Sequence, residues 1–217
     1  MSQADHPVLL SSAYLPNIQY FSKLLSYSEI LIEIHDTYQK QSYRNRTTIL
    51  GANGPLDLVI PVKRPSRNKT RTRDVLLDYD MPWQKTHWKA ILSAYNHSPF
   101  FEIFEPEFSP AFTKHFKYLI DWNFYLIDLI LQMTATPVHY RLSDSFLHIP
   151  ASHDFRDSIH PKKRMQKADP DFIPLVYFQV FERKNGFVPN LSFVDLLFNE
   201  GPRAMFLCKK CTKKGQP

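Results

Sequence analysis

The chain has 217 residues, enough for one generous domain. Hydrophobic residues make up 43% and aromatic residues 14%, which supplies a real core and excludes global disorder. The formal net charge is +6, but three segments, 63–73, 162–167 and 203–214, hold fifteen of the Lys and Arg residues and no acid. The remainder carries twelve Lys and Arg against twenty-one Asp and Glu, so the folded body reads as acidic and the positive charge sits on loops and a tail. A phosphate-tracking groove interleaves basic and aromatic residues on ordered elements, so nucleic-acid binding is the weaker reading.

Residues 8–13 (VLLSSA) form a short apolar run that predicts a strand. Tyr14-Leu15-Pro16-Asn17 breaks it, and Ile18, Phe21, Leu24 and Leu25 recur at helical spacing. Residues 29–34 (EILIEI) predict a second strand. Strand, helix and strand in so short a span imply a crossover between parallel strands. Both strands then end on one rim of the sheet, where open α/β folds place ligands.

The residues after those strands are chemically rich: Tyr14, Asn17 and Gln19 after the first, and His35, Asp36, Tyr38, Lys40, Tyr43, Arg44, Asn45 and Arg46 after the second. A helix start beginning near Asn17 offers unpaired N–H groups to a phosphate or carboxylate; Pro16 and Asn17 also start helices for purely structural reasons. Two guanidinium groups at Arg44 and Arg46 suit bidentate binding of an anion, with Asn45 free to read a hydroxyl. Ion pairing of these arginines to Asp36 or Glu33 is the structural alternative. His35 and Asp36 form the candidate acid/base pair, although adjacent residues on a strand face opposite ways and favour a structural role.

Further along, residues 47–50 and 56–62 flank the turn-forming cluster 51–55 and predict a hairpin. Leu56, Leu58, Ile60 and Val62 alternate, which predicts one buried face. The basic loop 63–73 and a short strand at 74–79 follow. Residues 83–97 predict an amphipathic helix ended by Pro99, and a longer helical region extends over 109–135. Residues 150–171 show no periodicity and read as a mobile loop, and 172–181 resume a strand-like pattern. Ser192 and Asp195 form a capping-box-like start to a helix over 192–199, with Gly201 as its C-cap. The last dozen residues read as a frayed basic tail. The expected organisation is therefore a single α/β domain over 1–200 and a tail over 201–217. It has a mostly parallel sheet opened by a strand-helix-strand unit, an antiparallel hairpin and a helical segment, about 83–135, packed against it.

Several chemistries lack support. No GxGxxG or GxxxxGK[ST] motif occurs. There is no HExxH, and His148, His153 and His160 are spaced too loosely for a metal site. Cys208 and Cys211 form a lone CxxC without two further zinc ligands, and no nucleophile elbow is present. No cofactor or metal is expected. His87 and Trp88 read as core rather than as catalyst or stacking platform. The N-terminus lacks the basic region of a secretory signal, the apolar stretch 124–133 is too short to span a bilayer, and two cysteines fit a reducing compartment; the expectation is a cytoplasmic protein.

The residues also resemble a known family. Residues 13–17 (AYLPN) with Tyr20-Phe21, residues 34–38, 40–46 (KQSYRNR) and 60–62 match its pattern. So do Trp83, His87-Trp88, 93–95, 98–101, 177–181, 189–192 and 195–199. Together they are similar to the WbqC-like proteins over most of the chain. Such proteins are associated with O-antigen and surface-polysaccharide gene clusters. The resemblance implies the pathway and the residues above imply the site, so the leading expectation is a transferase-like enzyme of surface-polysaccharide synthesis that takes a small anionic sugar or nucleotide-sugar ligand. One departure stands out: many relatives carry Gln-Pro before the Tyr-Leu-Pro, where this chain has Ser12-Ala13. A non-catalytic carbohydrate or nucleotide sensor and an RNA-binding protein are the rival classes.

Overall fold

The computed structural model describes residues 7–63, 70–148 and 153–213. Strand β1 (Val8–Ser11) and strand β2 (Ile30–Glu33) lie side by side in parallel, in register from Val8↔Ile30 to Ser11↔Glu33. Helix α1 (Ile18–Ser26) makes the crossover between them. Asn17 caps it: the backbone is extended there, and Oδ1 accepts a hydrogen bond from Tyr20 N at 3.0 Å. A two-residue strand, β5 (Arg141–Leu142), adds to β2 in parallel. The open edge of β1 is covered by the chain at 153–155, where Leu9 N donates to the His153 carbonyl at 2.8 Å and Phe155 N to the Leu9 carbonyl at 3.0 Å. The crossover, the parallel pairing and the α/β class follow the sequence reading.

The hairpin pairs β3 (Arg46–Gly51) with β4 (Gly54–Val59), and Gly54 sits at φ +108° in the turn. Helices α2 (Trp83–Tyr95) and α6 (Phe193–Glu200) pack on β3, leaving β4 as an outer edge. That explains one departure from the expected alternation: Leu58 is buried but Leu56 is exposed.

The other departures share a cause, since tertiary pairing overrides local pattern. Residues 74–79 form no strand. A 3₁₀ turn (Thr72–Asp74) leads into isolated bridges, Val62↔Leu77 and Leu76↔Tyr118. The helical region expected over 109–135 is divided. Helix α3 (Phe101–Phe108) and a 3₁₀ turn (Ser109–Thr113) precede an extended segment, and α4 (Leu119–Met133) starts only after it. The extended segment exists because Leu77 N donates to the Lys117 carbonyl and Leu119 N to the Val75 carbonyl. Residues 172–181 run without a ladder; only Phe172 bridges, to Thr212, and Val176 and Phe178 are exposed. A short helix, α5 (Glu182–Asn185), follows.

Where it is described, the expected frayed tail is instead a packed helix. Helix α7 (Ala204–Lys210) packs on α1, with Ala204 and Cys208 fully buried and Cys208 Sγ donating to the Ile18 carbonyl at 3.4 Å. Its buried stripe is small and sulfur-bearing, and the exposed Phe206 and the two lysines that follow mask it in the sequence. Gly201 ends α6 at φ +55°, where a Cβ would meet the Phe100 ring at 2.4 Å. The capping box does not form. Ser192 Oγ donates to the Leu15 carbonyl at 2.9 Å, and Asp195 accepts from Tyr95 Oη at 2.9 Å and Tyr177 Oη at 2.7 Å. Burial pushes the Asp195 carboxyl up to about 6.

The segment 153–171 contains only one 3₁₀ turn (Lys163–Met165), as an aperiodic loop should, yet it is anchored. Phe155 and Ile159 are buried. Its far end is held by Lys23 of α1, a fully buried ammonium paired with Asp169 at 3.0 Å and Asp171 at 2.9 Å, 4.4 Å from the Phe155 ring centre. Residues 150–152 of the expected loop and 64–69 of the basic loop lie outside the described residues. Removing one member of a buried ion cluster strands its partners, at a cost of roughly 3–5 kcal/mol. Lys23→Met is therefore expected to lower unfolding free energy by about 3 kcal/mol in urea titration; a loss below about 1 kcal/mol would contradict this role for Lys23.

Candidate functional site

The parallel strands β1, β2 and β5 leave the sheet on one rim, and the rim is ordered by two buried carboxylates. Glu33, the last residue of β2, is fully buried. Its Oε1 accepts from His35 N at 2.7 Å and Ser143 Oγ at 2.8 Å, and its Oε2 from Leu147 N at 2.9 Å. Arg156 of the covering segment reaches Glu33 at 3.5 Å and Asp154 at 2.6 Å. Asp36 is the second carboxylate: it takes Nη2 of Arg44 on one oxygen and the hydroxyl of Thr72 on the other. Nη2 of Arg44 also donates to Ser11 Oγ at 2.8 Å, so one guanidinium ties the ends of β1 and β2 together.

Asn123 of α4 supports the same corner. Its Nδ2 donates to Ser12 Oγ at 2.9 Å and to the Arg44 carbonyl at 2.8 Å. Ser12 thus serves as a buried acceptor. Between these groups lies a small recess lined by Ser11, Tyr20, Tyr43, Arg44, Phe155 and Ile159, with Ser12, Ala13 and Arg156 completing it. Its interior measures about 10 Å³, room for about one water-sized group. Two of its lining residues each carry a buried polar atom, Tyr20 Oη and Arg44 Nε, with no hydrogen-bond partner among the described residues. Tyr20 is 2% and Arg44 4% exposed. Burial raises the Tyr20 phenol far above its ordinary value, so it remains a donor.

The expected site residues divide into three groups. Arg44 and Asp36 meet at the recess, paired with each other as the structural alternative holds. His35 lies half-buried on the same turn. Lys40 is exposed beside Gln41, which receives the ammonium of Lys162 from the covering segment. The remaining residues do not reach the recess. Tyr14 is fully buried with its hydroxyl 2.9 Å from His87 Nδ1. Asn17 caps α1. Gln19 clamps the far segment through Asp169 at 2.7 Å and Asn190. Asn45 Nδ2 donates to the Ile60 carbonyl at 2.9 Å, and Arg46 pairs with Asp57 at 3.2 Å on the hairpin.

Sequence reading missed Tyr20, Phe155, Arg156 and Ile159 as lining residues. Tyr20 carried one signal, its place one helical turn after Asn17 at the rim; the other three sit in an aperiodic stretch with none. Among the described residues, no group of His, Cys, Asp and Glu could hold a metal ion, and no helix is long and apolar enough to cross a membrane.

The rim, the N-terminal crossover and the covering segment coincide with a family match over residues 11–165. The chain belongs to the WbqC-like protein family. It is also similar to a protein of Mycobacterium tuberculosis named Uncharacterized protein Rv1507c, at 22% identity over 94% of this chain and 97% of that one. No solved structure matches. As a WbqC-like protein, the chain has its family-matched span running from the end of β1 into the covering segment.

Burial lowers the His87 imidazole to about 4, with a hydrogen bond to the Val59 backbone opposing the shift. A histidine whose folded value lies below its unfolded value near 6.5 stabilises the fold above that pH. The contribution is lost as pH falls toward about 4, because the unfolded chain takes up the proton first. The stability advantage of the wild type over His87→Gln is expected to shrink by up to about 3 kcal/mol between pH 7 and pH 4 in chemical denaturation. A constant difference across that range would show that His87 is not held neutral.

Proposed function

We propose that this WbqC-like protein is an enzyme of surface-polysaccharide (O-antigen-type) biosynthesis. It is transferase-like and binds an anionic sugar or nucleotide-sugar at the rim of the parallel sheet. The observation that carries the reading is that two residues lining one recess, Tyr20 and Arg44, each hold an unpartnered buried polar atom, Oη and Nε. Unpaired polar atoms in a protein interior cost free energy unless a ligand or water completes them. The recess also lies where open α/β folds bind ligands, at the carboxyl ends of parallel strands. The pathway rests on the association of the family with surface-polysaccharide gene clusters.

In this reading Arg44 contacts the ligand, and Asp36, whose two oxygens hold Arg44 and Thr72, positions it. His35 is the proton carrier at the same turn. Lys40 and Lys162 stand toward solvent at Gln41 and offer positive charge to the ligand's phosphates or carboxylate.

The commitment of Asp36 to structural contacts favours one second reading, a non-catalytic carbohydrate- or nucleotide-binding protein. Titration of nucleotide sugars by calorimetry, with product analysis in parallel, separates the two. Arg44→Ala is expected to weaken binding by at least about tenfold, the effect of losing one hydrogen bond to a charged group. Arg46→Ala, at a half-buried arginine paired to Asp57 on the hairpin and away from the recess, leaves it unchanged. Turnover supports the enzyme and tight binding without turnover the sensor; equal effects of the two substitutions would remove the rim as the site.

A further inference from the structure

We infer that the recess seats an uncharged hydroxyl of the ligand, held by Tyr20 and Arg44, and that the ligand's anionic part stays outside it. The inference rests on the ligand reading above and narrows it to a chemical class.

Charge is the first argument. Arg44 is neutralised by Asp36, and Arg156 is shared between Asp154 and Glu33. Three carboxylates thus surround two guanidinium groups, and a phosphate entering the recess would meet no uncompensated positive charge. His160, the nearby imidazole of the covering segment, adds none. Burial lowers its proton affinity, with the Lys162 backbone hydrogen bond opposing and the Arg44 charge assisting the shift, and its Nδ1 accepts from Lys162 N at 3.0 Å. An anion placed among net negative charge in a low-dielectric interior is repelled, whereas a neutral hydroxyl is not.

Size and hydrogen bonding point the same way. An interior of about 10 Å³ admits one oxygen-centred group, not a tetrahedral phosphate. Arg44 Nε is a donor only, and a phenol both donates and accepts. A hydroxyl oxygen can accept from Arg44 Nε–H and either accept from Tyr20 or donate to it, completing both atoms at once. Ala13, Phe155 and Ile159 supply apolar walls around that one group. The covering segment, bonded to both the N–H and the carbonyl of Leu9, keeps the sugar ring outside with the anionic part.

The hydroxyl could belong to a hexose or to the ribose of a nucleoside. The test therefore titrates neutral aldohexoses, uridine, UDP-glucose and inorganic phosphate into wild type, Tyr20→Phe and Arg44→Lys. Tyr20→Phe keeps the ring and removes an unpartnered buried hydroxyl, so its melting temperature should match or exceed that of wild type. The expected result is that Tyr20→Phe weakens an aldohexose, or UDP-glucose, by about tenfold, one neutral hydrogen bond's worth. Phosphate is then unaffected by the substitution, and Arg44→Lys, which lacks the Nε donor, weakens the same probe as Tyr20→Phe. Tyr20-dependent binding of uridine but not of hexoses would move the hydroxyl to the ribose and overturn the sugar assignment. Phosphate binding that depends on Tyr20 would overturn the uncharged class. UDP-glucose binding insensitive to Tyr20 but lost in Arg44→Ala would overturn this inference while leaving the proposed function standing. Binding of no probe by any variant would remove both.

Discussion

One buried ion pair organises the rim. Arg44, at the entry to the hairpin, reaches back to Ser11 at the end of β1 and to Asp36 just after β2, and Asp36 in turn holds Thr72. The Arg44 carbonyl receives Asn123 from α4. Four separate parts of the chain thus converge on one guanidinium–carboxylate contact. Desolvating both charges is costly, and a buried pair is weak evidence for net stability. What it secures is position, because any displacement of the loop at 34–46 leaves a charge unpaired in the interior.

The parts of the fold legible in the sequence are those whose hydrophobic period matches their structure. Ile30 and Ile32 alternate and are buried in β2, and Ile18, Phe21 and Leu24 trace the inner face of α1. Helices α2 and α6 were equally plain. The parts that were not legible depend on partners remote in sequence. Residues 114–118 are extended because residues 75–77 bond to them, and 172–181 lack a ladder because no strand lies beside them. Helix α7 escaped detection because its buried residues are the small Ala204 and Cys208, while the bulky Phe206 between them is exposed, a stripe too weak to read as amphipathic.

The candidate site was legible at its centre and not at its lid. Asp36 and Arg44 are close in sequence and meet in space. Tyr14, Asn17 and Gln19, read as ligand contacts from their place at the rim, turn inward to His87, the α1 start and Asp169. Each is polar in a place where the fold itself leaves a donor or acceptor to satisfy, which pattern alone does not distinguish from function. Phe155, Arg156 and Ile159 reach the recess from more than a hundred residues away, through an aperiodic segment attached to Leu9.

The rim claim is tested most directly by a double-mutant cycle on Asp36→Ala and Arg44→Met, read by equilibrium unfolding. Each single change strands a buried charge, whereas the double change strands none. The account expects the double variant to be more stable than the sum of the single losses by about 2 kcal/mol or more, within the range for residues in one network. Additive losses, with a coupling below about 0.5 kcal/mol, would contradict it and leave the rim without the contact that holds it together.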